Sequence, residues 1–233
     1  MMKKLVLYGH PESGHSYKVK LLMDVSGIEY EYRLIDIDLA REERPEPFRS
    51  LSLARFGEVP LLTHGDDVYV QSNAILCFLA RHLHAFAGQD QNVMARAMEW
   101  LFWEHNKIGL CLPHLRLARN FFPDQYPEGA VGWLQSRYDA DVGRFAKELS
   151  DGRAFILGDA ISIADFSLCG YIYWANQAEV SLPMPVLRWA SRIAGLPGWK
   201  LPYALLSPEH PYVSYGKIRG ELDIAKEFGR VAA

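Results

Sequence analysis

Residues 57–76 read GEVPLLTHGDDVYVQSNAIL, and the fold is decided there. Val59 to Thr63 is a short apolar run, His64-Gly65-Asp66-Asp67 is a glycine-containing turn, and Val68-Tyr69-Val70 is a second run, so the segment reads as a β-hairpin. Pro60 has no N–H to give to a ladder, which puts it at the first residue of its strand. Ser72 stands where a helix cap is wanted, ahead of an apolar stripe at Ile75, Leu76, Leu79 and Leu83. The unit is ββα.

Upstream, Leu5 to Tyr8 is a continuous apolar run closed by Gly9-His10-Pro11, the pattern of a strand buried on both faces. Val19, Leu22, Met23 and Ser26 follow at helical spacing, and Gly27 stands where a helix stops. From Ile28 to Leu34 the period changes to two, with Tyr30 and Tyr32 alternating against Glu29, Glu31 and Arg33. This is a βαβ unit, and its crossover implies parallel strands. The charged, proline-bearing stretch Arg41 to Pro47 reads as a solvated connection to the hairpin.

Downstream, strand signals stop. Residues 85–92 carry no periodicity and form the expected linker, so a first domain covers 1–84. An all-helical domain is expected over 93–206. Met94, Ala97, Met98, Leu101, His105, Ile108, Leu112 and Leu115 give one long amphipathic helix, kinked at Pro113. Leu134 to Leu149, Ile163 to Ala178 and Val186 to Ala194 give three more. Residues 207–233 read as a tail draped on the surface.

The 233 residues include 25 Lys and Arg against 28 Asp and Glu, a formal charge of -3, so neither nucleic acid nor an anionic membrane is an expected partner. No apolar stretch approaches the roughly 18 residues of a membrane span. Cys77, Cys111 and Cys169 lie far apart with no CxxC pair, which argues against a disulfide framework and a cysteine zinc site and fits a cytoplasmic location. The eight histidines form no HExxH or comparable cluster, with His82 and His84 on different faces of one helix, so no metal is expected.

Taken together, the βαβ unit, the proline-opened hairpin, the serine before a helix and the helical half resemble the cytosolic glutathione transferase superfamily over residues 3–206. Gly57-Glu58-Val59-Pro60-Leu61-Leu62 with Gln71-Ser72-Asn73-Ala74-Ile75-Leu76 is similar to the family's glutathione-binding segment. Leu7-Tyr8-Gly9 followed by Ser13-Gly14-His15-Ser16 is similar to the serine-type active-site loop of bacterial, theta and zeta members. Gly158-Asp159-Ala160-Ile161-Ser162-Ile163-Ala164-Asp165-Phe166 is similar to the family's folding motif. Two departures stand out: Ala54-Arg55 where members often carry Asn-Pro, and His15 where many bacterial members carry Asn.

The resemblance implies a fold of α/β plus all-α class: a thioredoxin-like N-terminal domain with a mixed sheet (βαβ-ββα), then a C-terminal α-helical bundle. It also implies a cis bond before Pro60 that frees the Val59 backbone to pair with an extended tripeptide. Ser72 and the helix N–H groups beside it suit a carboxylate, and the Gln71 amide oxygen suits the adjacent ammonium; together they fit the γ-glutamyl end of glutathione. Arg41, Arg44 and Arg49 are all available for the glycyl carboxylate. Ser13 is the expected activator of the sulfur; Ser16, one turn on, reads as a cap, and His15 as a proton donor or a solvent-facing group. Ser162 with Asp165 reads as a capping box, and Ile161 with Phe166 as its hydrophobic staple, so Asp165 is structural. Trp100, Phe102 and Trp103 are core at helical spacing, or else walls of an acceptor pocket.

The implied activity is a homodimeric transferase joining the glutathione thiolate to a small electrophile, with glutathione as co-substrate. Two alternatives share the fold: a zeta-like glutathione-dependent isomerase or lyase, and a non-enzymatic interaction module. Disulfide exchange is disfavoured, because no cysteine stands at the start of the first helix.

Overall fold

The structure, a computed structural model, describes residues 4–207, 220–224 and 227. Strand β1 (Leu5–Gly9) lies between β2 (Glu31–Leu34), which runs parallel to it, and β3 (Leu61–His64), which runs antiparallel. β4 (Asp67–Val70) closes the edge against β3, giving the order β2-β1-β3-β4 and the expected mixed sheet. Both faces of β1 are covered, as its unbroken apolar run requires. Leu5 and Leu7 join Val19, Leu22 and Leu76 of helices α1 (Gly14–Ser26) and α3 (Ser72–Leu83) in the main core. Val6 and Tyr8 join Phe48 and Leu61 in a smaller cluster on the other face. Phe48 opens α2 (Phe48–Leu53), a helix that the sequence reading did not anticipate.

The connection ahead of α2 is not uniformly solvated. Arg44 is buried there, and its guanidinium donates to the carbonyls of Leu39, Gly57 and Ile37 at 3.3, 2.9 and 3.2 Å. A charged group taken from water needs such partners, and Arg44 finds them in the chain that it pins down.

The helical half consists of α4 (Gln91–Asn106), α5 (Ile108–Arg116), α6 (Ala130–Glu148), α7 (Ile163–Leu168), α8 (Met184–Ala194) and α9 (Pro202–Leu206). α4 opens within the expected linker, on an Asp90 cap that accepts the N–H groups of Asn92 and Val93. The single long helix expected from Met94 to Leu115 is broken at Lys107 (φ -123, ψ -104), while Pro113 sits inside α5. The reason lies in Glu104. Its carboxylate occupies the space over Gly109, where an added Cβ would come within 2.1 Å of Oε1. It is held there by Lys18 of the first domain at 3.3 Å, by Asn73 Nδ2 at 3.2 Å and by the Ser167 hydroxyl at 3.1 Å.

The helix expected from Ile163 to Ala178 ends at Leu168. Beyond it the chain must pass Gly14, where an added Cβ would lie 2.5 Å from the Gly170 carbonyl oxygen, and it continues as turns with one 3-10 turn at Ile172–Trp174. The tail differs too: Leu222 is buried, with its N–H donating to Tyr173 O at 2.7 Å, and Glu221 accepts the Tyr203 N–H at 2.7 Å. Residues 208–219 of the expected tail lie outside the described residues. Among the described residues, no helix is long and apolar enough to cross a membrane.

Trp100 and Trp103 pack on each other (centroids 5.4 Å) and on Phe145, within the helical core, while Phe102 is 72% exposed. None of the three reaches the cleft beside Ser13, so the acceptor-wall reading does not hold.

Candidate functional site

Two helix starts of the first domain, those of α1 and α3, lie side by side, and each leaves backbone N–H groups without intrahelical partners. At α1 the cap is Ser13, in extended geometry (φ -97, ψ 108), and its Oγ accepts the Ser16 N–H at 3.1 Å. Ser16, expected as the cap, is instead fully buried, and its Oγ accepts the His10 N–H at 3.3 Å. With Oγ already accepting from the helix, the Ser13 hydroxyl keeps its own hydrogen to donate outward.

At α3 the sequence pattern is displaced by one residue. Ser72, read as the cap, is the first helical residue, and the cap is Gln71 at φ 68, ψ 113 with no side-chain cap bond. A left-handed φ on a non-glycine residue costs free energy and is found mostly where function retains it. Gln71 Nε2 donates to Glu58 Oε2 at 3.3 Å, which leaves the Gln71 side-chain amide oxygen near a carboxylate. Ser72 Oγ lies 3.4 Å from His15 Nδ1. A pocket at this helix start is lined by His15, Glu58, Val59, Gln71, Ser72 and His105. It therefore offers hydroxyl and helix N–H groups for a carboxylate, and an acidic face for an ammonium. Asn73 faces inward, donating through Nδ2 to Leu101 O at 3.0 Å.

The Val59–Pro60 peptide is cis, as the resemblance implies, and Glu46–Pro47 is also cis. The second cleft shares His15, Glu58 and Val59 with the first and adds Ser13, Arg41 and Tyr171. Its far wall comes from α5 and the π turn at Leu117–Phe121, which present Arg116, Phe121 and Phe122. π turns are frequent at functional sites.

The three arginines left open by the sequence separate here. Arg44 is consumed by backbone carbonyls, and Arg49 by Glu46 Oε1 (2.7 and 3.0 Å) and Glu42 O. Arg41 is exposed, lines the second cleft and lies along Gly57, where an added Cβ would come 2.8 Å from its Cδ.

His15 is half-buried, between the two clefts that it lines. Burial, reinforced by the Lys18 charge, lowers its pKa to about 4, so the imidazole is neutral near pH 7. Its ring meets Tyr171 edge-on, with centroids 5.4 Å apart at 83°. Burial pushes the Cys77, Cys111 and Cys169 thiols up, away from thiolate formation. Among the described residues no group of His, Cys, Asp or Glu is placed to hold a metal ion.

The sequence reading missed Glu58 as a partner of Gln71, although Glu58 lay inside the quoted segment. It also missed a buried cluster behind Ser13. There Arg116 donates to Gln177 Oε1 (2.6 Å), Glu12 O (2.9 Å) and the Glu12 carboxylate, and stacks over Trp174 at 4.3 Å. Tyr203 donates to the same carboxylate at 2.8 Å. No local pattern announces it, because its members come from four separate parts of the chain.

Residues 3–81 match the family described as "Glutathione S-transferase, N-terminal domain", and residues 109–201 match "Glutathione S-transferase, C-terminal domain". A glutathione S-transferase of Arabidopsis thaliana is 32% identical over 209 residues, covering 83% of this chain and 94% of its own. A maleylpyruvate isomerase of a Ralstonia species is 28% identical over 204 residues, covering 81% and 91%. Among solved structures, one described as a possible glutathione S-transferase from Rhodopseudomonas palustris superposes with a TM-score of 0.75 at 25% identity, covering 85% of this chain and 98% of that one.

Proposed function

The chain belongs to the glutathione S-transferase superfamily, and from that premise we propose that it binds glutathione across the two helix starts and joins the sulfur to a small electrophile. In this reading the γ-glutamyl carboxylate sits on Ser72 and the N-terminus of α3. The ammonium lies between the Gln71 side-chain amide oxygen and Glu58, and the cysteinyl backbone runs along Val59 at Pro60. Arg41 takes the glycyl carboxylate, and Ser13 faces the sulfur. The observation that carries the reading is the Ser13 cap, whose oxygen accepts from the helix at 3.1 Å while its hydrogen is left to donate.

The magnitudes suffice without a general base. A thiol with a pKa near 8.5 is only about 3% thiolate at pH 7, and lowering it by about two units, or about 2.7 kcal/mol, raises the nucleophile roughly twentyfold. A hydroxyl donating to an anion contributes about 1.5 to 3 kcal/mol and a helix N-terminus about 0.3 to 1. The thiol proton leaves to solvent, and the thiolate bonds to an electrophilic carbon in the cleft lined by Phe121 and Phe122, expelling a leaving group with its electron pair or, at a conjugated double bond, pushing the π pair onto the substrate, where it takes up a proton from solvent.

A second reading, glutathione-dependent isomerisation or lysis, is supported by the likeness to the maleylpyruvate isomerase. Both readings use the same thiolate, so a substrate panel separates them. We place the protein in the cytoplasm, in keeping with its three free cysteines. We also propose a homodimer that covers the apolar groove lined by Tyr69, Cys77, Phe78, Met98 and Phe102.

Calorimetry with glutathione, followed by the thiolate absorbance near 240 nm against pH, tests the assignment. Wild type is expected to bind and to lower the thiol pKa, and Ser13→Ala to raise the bound pKa by about one to two units with affinity little changed. Binding without any lowered pKa or turnover would favour the interaction module. Static light scattering is expected to give twice the 26.5 kDa chain mass.

A further inference from the structure

We infer that Tyr171 supplies a second hydroxyl to the glutathione sulfur, carried to the start of α1 by the helical domain. The inference rests on the function proposed above and extends it to a residue outside the glutathione-binding domain.

Tyr171 lies against Gly14, where an added Cβ would come within 2.6 Å of ring atoms Cδ2 and Cε2. Only a glycine admits the ring at that distance. His15 meets it edge-on at 5.4 Å, and Trp174 backs it at 5.8 Å and 46°, so the ring is held from three sides over the first turn of α1. It lines the same cleft as Ser13.

The charge balance around the phenol is consistent with a donor. Burial raises its pKa, opposed by the Arg116 charge and by the Gly14 and His15 backbone at the start of α1; Glu104 adds a smaller upward push. The phenol therefore keeps its proton at neutral pH. Ser13, whose Oγ accepts the Ser16 N–H at 3.1 Å, borders the same cleft. Two hydroxyl-bearing side chains at the start of α1 thus line one cleft, where a sulfur anion would receive a hydrogen bond from each. No proton leaves Tyr171.

The test is Tyr171→Phe, which keeps the ring packing and removes only the oxygen. The bound thiol pKa, read from thiolate absorbance, is expected to rise by about one unit, a tenfold loss of thiolate at low pH. The kcat at pH 6.5 should fall severalfold and recover as pH rises past the new pKa. A purely structural role would not move the pH profile. If wild type lowers the thiol pKa and Tyr171→Phe keeps it lowered, the role of Tyr171 is overturned while the proposed function stands. Should wild type itself leave the thiol near 8.5, both fall together.

Discussion

The starts of α7 and α3 solve the same physical problem in opposite ways. At α7 the Asp165 carboxylate, fully buried, accepts from Ser162 N, Ser162 Oγ and Ile156 N at 2.9 Å each and from Trp189 Nε1 at 2.8 Å, while Ser162 Oγ accepts the Ala164 N–H. Nothing is left for a ligand. At α3 the cap residue makes no side-chain cap bond, sits at φ 68, and opens onto a pocket. A helix start that satisfies itself holds the fold; one held open in a strained conformation is available to an anion.

The largest expected effect comes from breaking the closed start. Asp165→Ala removes the shared acceptor of four buried donors and should cost about 3 to 5 kcal/mol, the range for disrupting a buried charged network. At roughly 2 to 4 °C per kcal/mol for a chain of this size, thermal unfolding would shift down by about 6 to 20 °C. Glutathione affinity of the folded fraction should be unchanged. An unshifted melting curve with lost turnover would show that Asp165 belongs to the chemistry.

The open start should respond in reverse. Gln71→Gly removes a side chain from a left-handed position, so stability should hold or rise by about 0.4 to 1 kcal/mol. Glutathione affinity should fall by about 1.5 to 3 kcal/mol, the worth of a hydrogen bond to a charged group. Parallel melting and calorimetry on one preparation reads both. Loss of stability without loss of affinity would make the α3 start as structural as that of α7.

The closed start was legible in the sequence because all of its signal is local: Ser162 and Asp165 sit three apart, and the capping box follows from the helix repeat. The same holds for β1 and for the hairpin around Gly65, whose residue types fix both period and turn. The break at Lys107 was not legible, because it depends on Glu104 meeting Lys18, 86 residues away in sequence. The open start was misread by one residue for a related reason. Serine is the better cap by local preference, and only the turn out of β4 puts Gln71 in that place. In the active-site loop, Ser13 and His15 were legible as residues, but the burial of His15 and the Tyr171 ring over Gly14 arise from docking of the helical half. Local pattern reveals elements; the chemistry of this site is assembled between them.

The smallest expected effect repeats the contrast within four residues. Arg41 and Arg44 are the same residue type in one short segment, and nothing in their sequence separates them. Arg44 is closed: its guanidinium serves three carbonyls, including Gly57 O ahead of the cis Val59–Pro60 bond. Arg44→Ala removes buried donors and leaves the buried Gly57 carbonyl oxygen unpaired, at about 1 to 3 kcal/mol, so it should destabilise the loop that shapes the pocket. Arg41 is open, exposed at the cleft beside Gly57. Because its charge is solvated, an ion pair with the glycyl carboxylate should contribute only about 0.2 to 1 kcal/mol, or up to about fivefold in affinity. It should also be screened by salt, since the Debye length falls from about 10 Å at 0.1 M to about 3 Å at 1 M. Arg41→Ala is therefore expected to melt like wild type, to bind glutathione two- to fivefold more weakly at 0.05 M salt, and to match wild type near 1 M. If Arg49→Ala shows that salt-dependent loss and Arg41→Ala does not, the carboxylate lies on the other side of the segment, and Glu46 must release Arg49 on binding.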